Sequence, residues 1–467
     1  MDVSAGPARP CPRWLPPVIV ALLSAAGAAL ADAPPRFPPE AVWHQDVRDA
    51  ALHPQSASMI ATWSALGGFG NGRMQIDLGF HIVHAPPDAP LRTITGWPDD
   101  GDYYLPDCEA LGTPMPVPVT ARIEWQDGLA CPDDGDCHLL VVQGDRLYEA
   151  YRARAIGADQ LAAQCLVVWQ LERVYPANGR GEHCTSADAA GFPIAPLLFN
   201  ADEVHAAMQV ADGDLGHAIR FILPNARMAS TVVDGERRGV YVRPASHSGG
   251  PSGPEGTLPY GSRLRLKADF PVSLYPPGAQ VVLRTMQRHG IVLSDGGNIA
   301  LTAESDHYTT HRWSDVGITP QTFYQAVPSR IVRAEDFEVL DTGPRIVEIW
   351  ECVRVADVPD PSGLAARLTR VDRRLAHYVQ LDWTGGAEAI DVYRGDAYIE
   401  TVANVGRWIG KTGGDRLGAY RVCNADSMAC SGAAVPVPDR ATQAEIGRRA
   451  PARVAPARPV RDDAHTR

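Results

Sequence analysis

The sequence is most informative first for what it lacks. Its 467 residues contain no CxxC pair, so a zinc ribbon or a thioredoxin-type site has no support. No GxSxG occurs, and Ser246, Ser248 and Ser252 sit in a glycine-rich loop, which leaves serine hydrolysis weakly founded. No internal repeat is visible. After Leu30 no apolar run is long enough to cross a membrane. Positive charge is also short: 43 Lys and Arg stand against 55 Asp and Glu, for a formal charge of -12. That balance argues against nucleic acid as a partner, because phosphate binding needs basic surface.

At the amino terminus, Arg9 and Arg13 precede an apolar run from Trp14 to Leu30 that is interrupted by Pro16 and Pro17. Ala29-Leu30-Ala31 offers a small-x-small cleavage pattern, so residues 1–31 read as a signal peptide and the mature chain starts near Asp32 with a charge of about -13. An uncleaved anchor is the competing reading. No cysteine stands at the cleavage point, so lipoprotein attachment is not expected. The expected location is outside the cytoplasm, either extracellular or periplasmic, with no integral membrane segment in the mature protein. Removing Cys11 leaves eight cysteines, an even number that reads as disulfides in an oxidising compartment. Sequence proximity suggests Cys131 with Cys137, Cys165 with Cys184, and Cys423 with Cys430. Cys108 and Cys352 are left either to bridge or to stay free.

Glycine (43) and proline (40) are plentiful, as many short strands joined by turns require. Ser56 opens an expected helix with Met59, Ile60, Trp63 and Leu66 on one face and Gly67-Gly68 at its end. A second helix is expected over 279–289, on a stripe of Val281, Val282, Thr285 and Met286. Strand-like runs cover 74–83, 138–142, 165–171, 217–223, 240–242, 264–270 and 345–355. The fold class expected is mainly β: a β-sandwich or jelly-roll main domain over 32–355 with a few short helices. A linker follows at 356–366, a small β-sandwich at 367–436 and a disordered tail at 437–467. From Asp439 onward the chain holds seven arginines and four acidic residues with no apolar periodicity.

Leu381-Asp382-Trp383-Thr384-Gly385, Ile390 to Gly395 and Tyr420 to Cys430 resemble the strands of fibronectin type III-like modules appended to many secreted bacterial enzymes. That resemblance covers about 70 residues and implies a spacing or adhesion role. The main domain resembles a set of secreted bacterial proteins without established activity. The matching runs include 72–77, 136–142, 147–149, 185–191, 217–221 and 263–268. It implies that these runs do more than pack, and it supplies no mechanism.

Within those runs, polar groups stand among apolar strands, where a charge must be paired or functional. Alternation puts Leu147, Glu149 and Tyr151 on one face. It also puts His217, Ile219, Phe221 and Leu223 on a face opposite Arg220. Asp188 lies in a small-residue turn near Cys184, and His247 follows the strand ending near Ala245. Glu149 and Asp188 are the candidate acid/base pair, with Arg220 and His247 orienting substrate and His217 beside them. The competing reading is a buried network such as Glu149 with Arg220. Two carboxylates suit a glycosidase, and a base with a cation suits a lyase acting on uronates.

The functional expectation is a secreted carbohydrate-active protein whose partner is a polysaccharide or cell-surface polymer. A non-catalytic binding or adhesion protein and a secreted protease or esterase are the alternatives. No cofactor is expected, with calcium as the minor alternative: Asp133-Asp134-Gly135-Asp136 has a calcium-loop composition but lacks the distant acidic ligand. His81 and His84 would face opposite sides of a strand. Gly406 to Thr412 is one residue short of a phosphate loop, and Gly67 to Gly72 lacks the strand that precedes a dinucleotide fingerprint.

Overall fold

The structure, a computed structural model, describes residues 34–97, 103–132, 135–328, 330–355, 361–371, 377–387, 389–395, 397–412, 418–424 and 430–438. The expected signal peptide, the tail from 439, the first half of the linker and Asp133-Asp134 lie outside the described residues. Among the described residues no helix is long and apolar enough to cross a membrane.

The protein is mainly β, with several sheets and few short helices. Two sheets position the candidate site. Their strands, in chain order, are β1 (Ile76–Phe80), β2 (Ile82–His84), β3 (Leu139–Gln143), β4 (Arg146–Tyr151), β5 (Cys165–Gln170), β6 (Ile219–Leu223), β7 (Arg263–Leu266), β8 (Ile291–Gly296), β9 (Leu301–Glu304) and β10 (Phe337–Val339). The larger sheet has the order β1-β9-β6-β8-β7-β10 and the smaller β2-β3-β4-β5. The run expected as one strand over 74–83 bends at His81, so that β1 pairs with β9 in the first sheet and β2 with β3 in the second. The larger sheet is mixed: β1 with β9 and β6 with β8 are parallel, while β7 is antiparallel to both its neighbours.

The smaller sheet is buried on both faces. Leu140, Val142, Leu147, Val167 and Trp169 face the main core with β6 and β8, while Leu139, Val141, Tyr148, Ala150 and Leu166 face a second core. Two-sided burial explains why β3 reads as an unbroken apolar run, Leu139-Leu140-Val141-Val142, where alternation would mark a strand with one wet face.

Helices α1 (Ser56–Ala65) and α3 (Pro277–Arg288) pack on the larger sheet, against β10 and β7, and α2 (Ala201–Met208) packs on α3. In α1, Met59, Ile60 and Trp63 are buried, and the helix gives way to Gly67 and Gly68, both left-handed at φ 102° and 65°. Asn200 caps α2 by accepting a hydrogen bond from the Glu203 amide. The expected stripe of α3 (Val281, Val282, Thr285, Met286) is buried, and the helix stops before left-handed Gly290.

Residues 362–438 form a separate sandwich. Ser362–Val371, His377–Thr384 and Arg407–Thr412 make one sheet with Val437–Pro438. The other sheet holds Ala389–Arg394, Ala397–Ala403 and Tyr420–Asn424. Leu368, Val379, Leu381, Trp383, Ile390, Val392, Trp408, Tyr420 and Val422 fill the space between them. Trp383 and Tyr393 differ in burial: Trp383 belongs to this core, whereas Tyr393 is half-buried at its edge.

All eight cysteines of the described chain are paired. Cys131–Cys137 and Cys423–Cys430 form as sequence proximity suggested. The expected Cys165–Cys184 bond does not: Cys165 lies on β5 and joins Cys108, while Cys184 joins Cys352 across 168 residues of chain. Proximity along the chain misled here because β5 and the turn after Glu182 diverge into different parts of the fold.

Candidate functional site

A cleft of about 600 Å³ opens over the carboxyl ends of the parallel neighbours β6 and β8. The loops that leave the carboxyl ends of such parallel neighbours open a crevice whose side chains can face a ligand. Asn225 follows β6, and Asp295-Gly296 close β8. The turn from Thr185 to Ala189 forms one wall, and Tyr103 to Asp107, Asp136, His138 and Tyr151 form another. His247, Gly249, Tyr260 and Trp350 complete the lining.

The turn is held tightly. Ser186 donates its hydroxyl to the Phe192 carbonyl at 2.6 Å, and Asp188 accepts the Ala190 amide at 3.1 Å. Gly191 is left-handed at φ 77°, and a Cβ there would lie 2.1 Å from Ser246 Oγ, so the position requires glycine. Ser246 itself donates to the Cys184 carbonyl at 2.9 Å.

Under the cleft lies a buried charge network. Arg220, fully buried on β6, gives Nη2 to Asp188 Oδ2 at 2.6 Å and Nε to the same oxygen at 3.2 Å. The same Nη2 stands 3.7 Å from Asp295 Oδ2. Close by, His138 Nδ1 meets Glu124 Oε2 at 2.6 Å, while Asp77 accepts from the Gly79 amide at 2.8 Å and from Trp125 Nε1 at 3.3 Å. Burial opposes charge on His138, but Glu124 prevails and raises the imidazole to about 9. The carboxyls Asp77, Glu124, Asp188 and Asp295 outnumber the two cations, Arg220 and His138, and the charges of Glu149 and Asp136 also reach Asp188 and His138.

Burial sends the excess to Asp77 and Asp295. Desolvation, with Glu124 adding repulsion, lifts Asp77 to about 6. Desolvation and the Asp188 charge lift Asp295 to about 7, against the pull of Arg220. Burial pushes Asp188 upward as well, but its short double contact with Arg220 and the Ala190 amide favour the anion there, so Asp295 is the member of the pair on which protonation is favoured. Asp295 keeps a quarter of its side chain exposed and lines the cleft, so this proton is within reach of a bound molecule.

The residues expected from sequence divide sharply. Asp188 and Arg220 meet in the pair described, beneath the cleft floor. His247 is on the cleft; its Nδ1 bonds the Ala189 carbonyl at 2.8 Å, which makes Nδ1 the protonated nitrogen and leaves Nε2 an acceptor. Glu149 is fully buried and away from the lining, with its carboxylate receiving the amides of Ile194 and Ala195, each at 2.8 Å, and Trp169 Nε1 at 2.9 Å. It fastens the 194–197 turn, and burial raises it to about 7. Glu149 does not pair with Arg220. His217 lies apart, 3.6 Å from Glu203, which Arg36 holds at 2.6 Å. His217 is not among the groups that act on Asp188, whereas the charge of Glu149 reaches Asp188 and raises it although neither carboxyl lines the cleft.

Sequence reasoning passed over Asp295, Asp107 and Trp350. Asp295 had a signal: Ile291-Val292-Leu293-Ser294-Asp295-Gly296 is an apolar strand that ends in a carboxylate and a glycine. Asp107 accepts the Thr185 amide at 2.7 Å, and burial raises its pKa. Nothing in its sequence neighbourhood marks it. Of the three serines singled out, Ser246 is committed to a carbonyl, Ser248 is fully buried and Ser252 is exposed outside the cleft lining. Among the described residues no cluster of His, Cys, Asp and Glu could hold a metal ion.

Comparison of the chain with protein-family models, with curated proteins and with solved structures found no match in any of the three.

Proposed function

We propose that the protein is an exported carbohydrate-active protein whose cleft binds a polysaccharide segment and hydrolyses it, with Asp295 as the proton donor. The observation that carries this reading is a carboxyl raised to about 7, mostly buried but lining a cleft, and sharing Arg220 with Asp188. Hydrolysis of a glycosidic bond needs an acid that still holds its proton near neutral pH and a second group that serves as base or nucleophile. Asp107 and His247 Nε2 line the same cleft and are the candidates for that second role. Asp188 and Arg220 act through Asp295: they are positioning residues that set its proton affinity.

Export is supported by the charged and apolar amino terminus and by four disulfides. The sandwich over 362–438, with strand motifs like those of fibronectin type III-like modules, suits a spacer or adhesion element, and polymer-degrading enzymes often carry one. Architecture alone does not imply activity.

Release of reducing ends from a polysaccharide panel tests the proposal. Asp295→Asn should lower turnover at least 100-fold while leaving the melting temperature and ligand affinity close to those of the parent. Full activity in Asp295→Asn would overturn the assignment. Binding by the parent without turnover on any polymer would replace hydrolysis with a non-catalytic binding protein. The burial of Glu149 and Asp188 away from the cleft lining favours that second reading for those two residues.

A further inference from the structure

Trp350 is the most unusual residue on the cleft rim. Half its surface is exposed, and its backbone is left-handed at φ 57°. A bulky non-glycine residue rarely adopts that conformation, which costs of order 1 kcal/mol and persists only where the surroundings impose it. Here they do. Glu348, fully buried, accepts the amides of Ile349 at 3.0 Å and of Trp350 itself at 2.7 Å through Oε1. Its other oxygen accepts the Ser248 amide at 2.9 Å, next to His247 of the cleft. Two residues on, Cys352 is bonded to Cys184, which begins the turn carrying Thr185 to Ala189. Arg238 lies against the indole at 5.0 Å. A buried carboxylate, a disulfide and a cation thus hold one exposed indole in a strained pose beside the cleft, with the ring itself outside the hydrophobic core.

The charge of the lining bears on what the indole meets. Asp107, Asp136 and Asp295 line the cleft, and among the described lining residues there is no Arg or Lys. His138 is spent on Glu124, and Arg220 lies buried beneath, tied to Asp188. Tyr104 and Tyr151, stacked at 6.4 Å, add aromatic surface to the lining. A uronate would bring its carboxylate among Asp107 and Asp136, with Arg238 at the indole lying outside the lining, whereas an aromatic face suits the C–H face of a sugar ring.

We infer that Trp350 is the stacking platform of the cleft and that its ligand is a neutral or amino-bearing sugar ring, not a uronic acid. The inference rests on the carbohydrate reading above and narrows it to a substrate class.

Calorimetric titration of the full chain with three oligosaccharide sets tests it: neutral hexoses, glucosamine-type oligomers and oligogalacturonates. At least one of the first two sets should bind, and at least tenfold more tightly than any uronate. Trp350→Ala should weaken that binding at least tenfold with an unchanged melting temperature, and Trp350→Phe should restore most of it. Uronates binding as tightly as the other sets, or Trp350→Ala binding like the parent, would overturn the inference while leaving the carbohydrate reading in place. Silence from all three sets would overturn both.

Discussion

The two parts of the chain bury different things. The carboxy-terminal sandwich has an apolar interior whose described buried polar residues are Asp391, Asn424 and Ser431. The main domain buries Asp77, Glu149, Asp188, Arg220, Arg263, Glu304 and Glu348, each nine-tenths or more inaccessible. Burying charge rarely improves stability over a well-packed apolar alternative. Part of that charge, Asp188 with Arg220, lies beneath the cleft, whereas Glu149, Arg263 and Glu304 tie separate segments of the main domain together.

Disulfide removal should sharpen the contrast most. Loop-closure entropy assigns about 5 kcal/mol to Cys184–Cys352, which spans 168 residues, and about 2 kcal/mol to Cys423–Cys430, which spans 7. Denaturant unfolding of the double-serine variants should reproduce that order, and equal losses would mean that chain constraint is not what the long-range bond supplies. Next comes Arg220→Leu. It strands Asp188 without its cation and should cost about 3–5 kcal/mol. If it unfolds no more readily than the parent, the network below the cleft is dispensable.

A pH effect of intermediate size should separate the two parts. Burial raises Asp77 to about 6, Glu149 and Asp295 to about 7, and Glu304 to about 8. In the unfolded chain these carboxyls ionise near pH 4. Raised acids bind protons in the folded state that the unfolded state has released, so their contribution is fully present below about pH 4 and is lost as pH climbs through 6 to 8. Each group changes stability by up to about 1.4 kcal/mol per pH unit within its window. Unfolding of the main domain should therefore become easier from pH 5 to pH 9, and Glu304→Gln should flatten part of the slope. A profile that rises over this range would contradict the burial argument. The smallest effect belongs to the sandwich: Arg407 and Asp382 pair at 2.6 Å in the open, and Arg407→Ala should shift stability by no more than about 0.5 kcal/mol.

How much of this was legible beforehand follows the same division. The helices at 56–65 and 277–288 announced themselves through apolar stripes and terminal glycines, and β6 through the alternation that sets Arg220 apart from Ile219 and Phe221. Local patterns carry that information. The partner of Cys165, the bend at His81 and the union of Asp188 with Arg220 and Asp295 depend on segments distant in sequence meeting in space, which no local period encodes. Glu149 shows the limit from the other side. A carboxylate on an apolar strand was rightly singled out as needing partners, yet backbone amides of Ile194 and Ala195 satisfy it as fully as a catalytic role would require. Trp350 gave almost no sign, because an exposed aromatic in a loop becomes informative only once its backbone conformation and its anchor are known.

The central claim is that the imbalance of buried charge leaves a proton on Asp295 at the cleft. Carboxyl titration by carbon-detected NMR, comparing the parent with Asp295→Asn, tests it without any knowledge of substrate. The account predicts a carboxyl resonance titrating near pH 7 that is absent from the variant. Loss of only a resonance that titrates below pH 5 would contradict it.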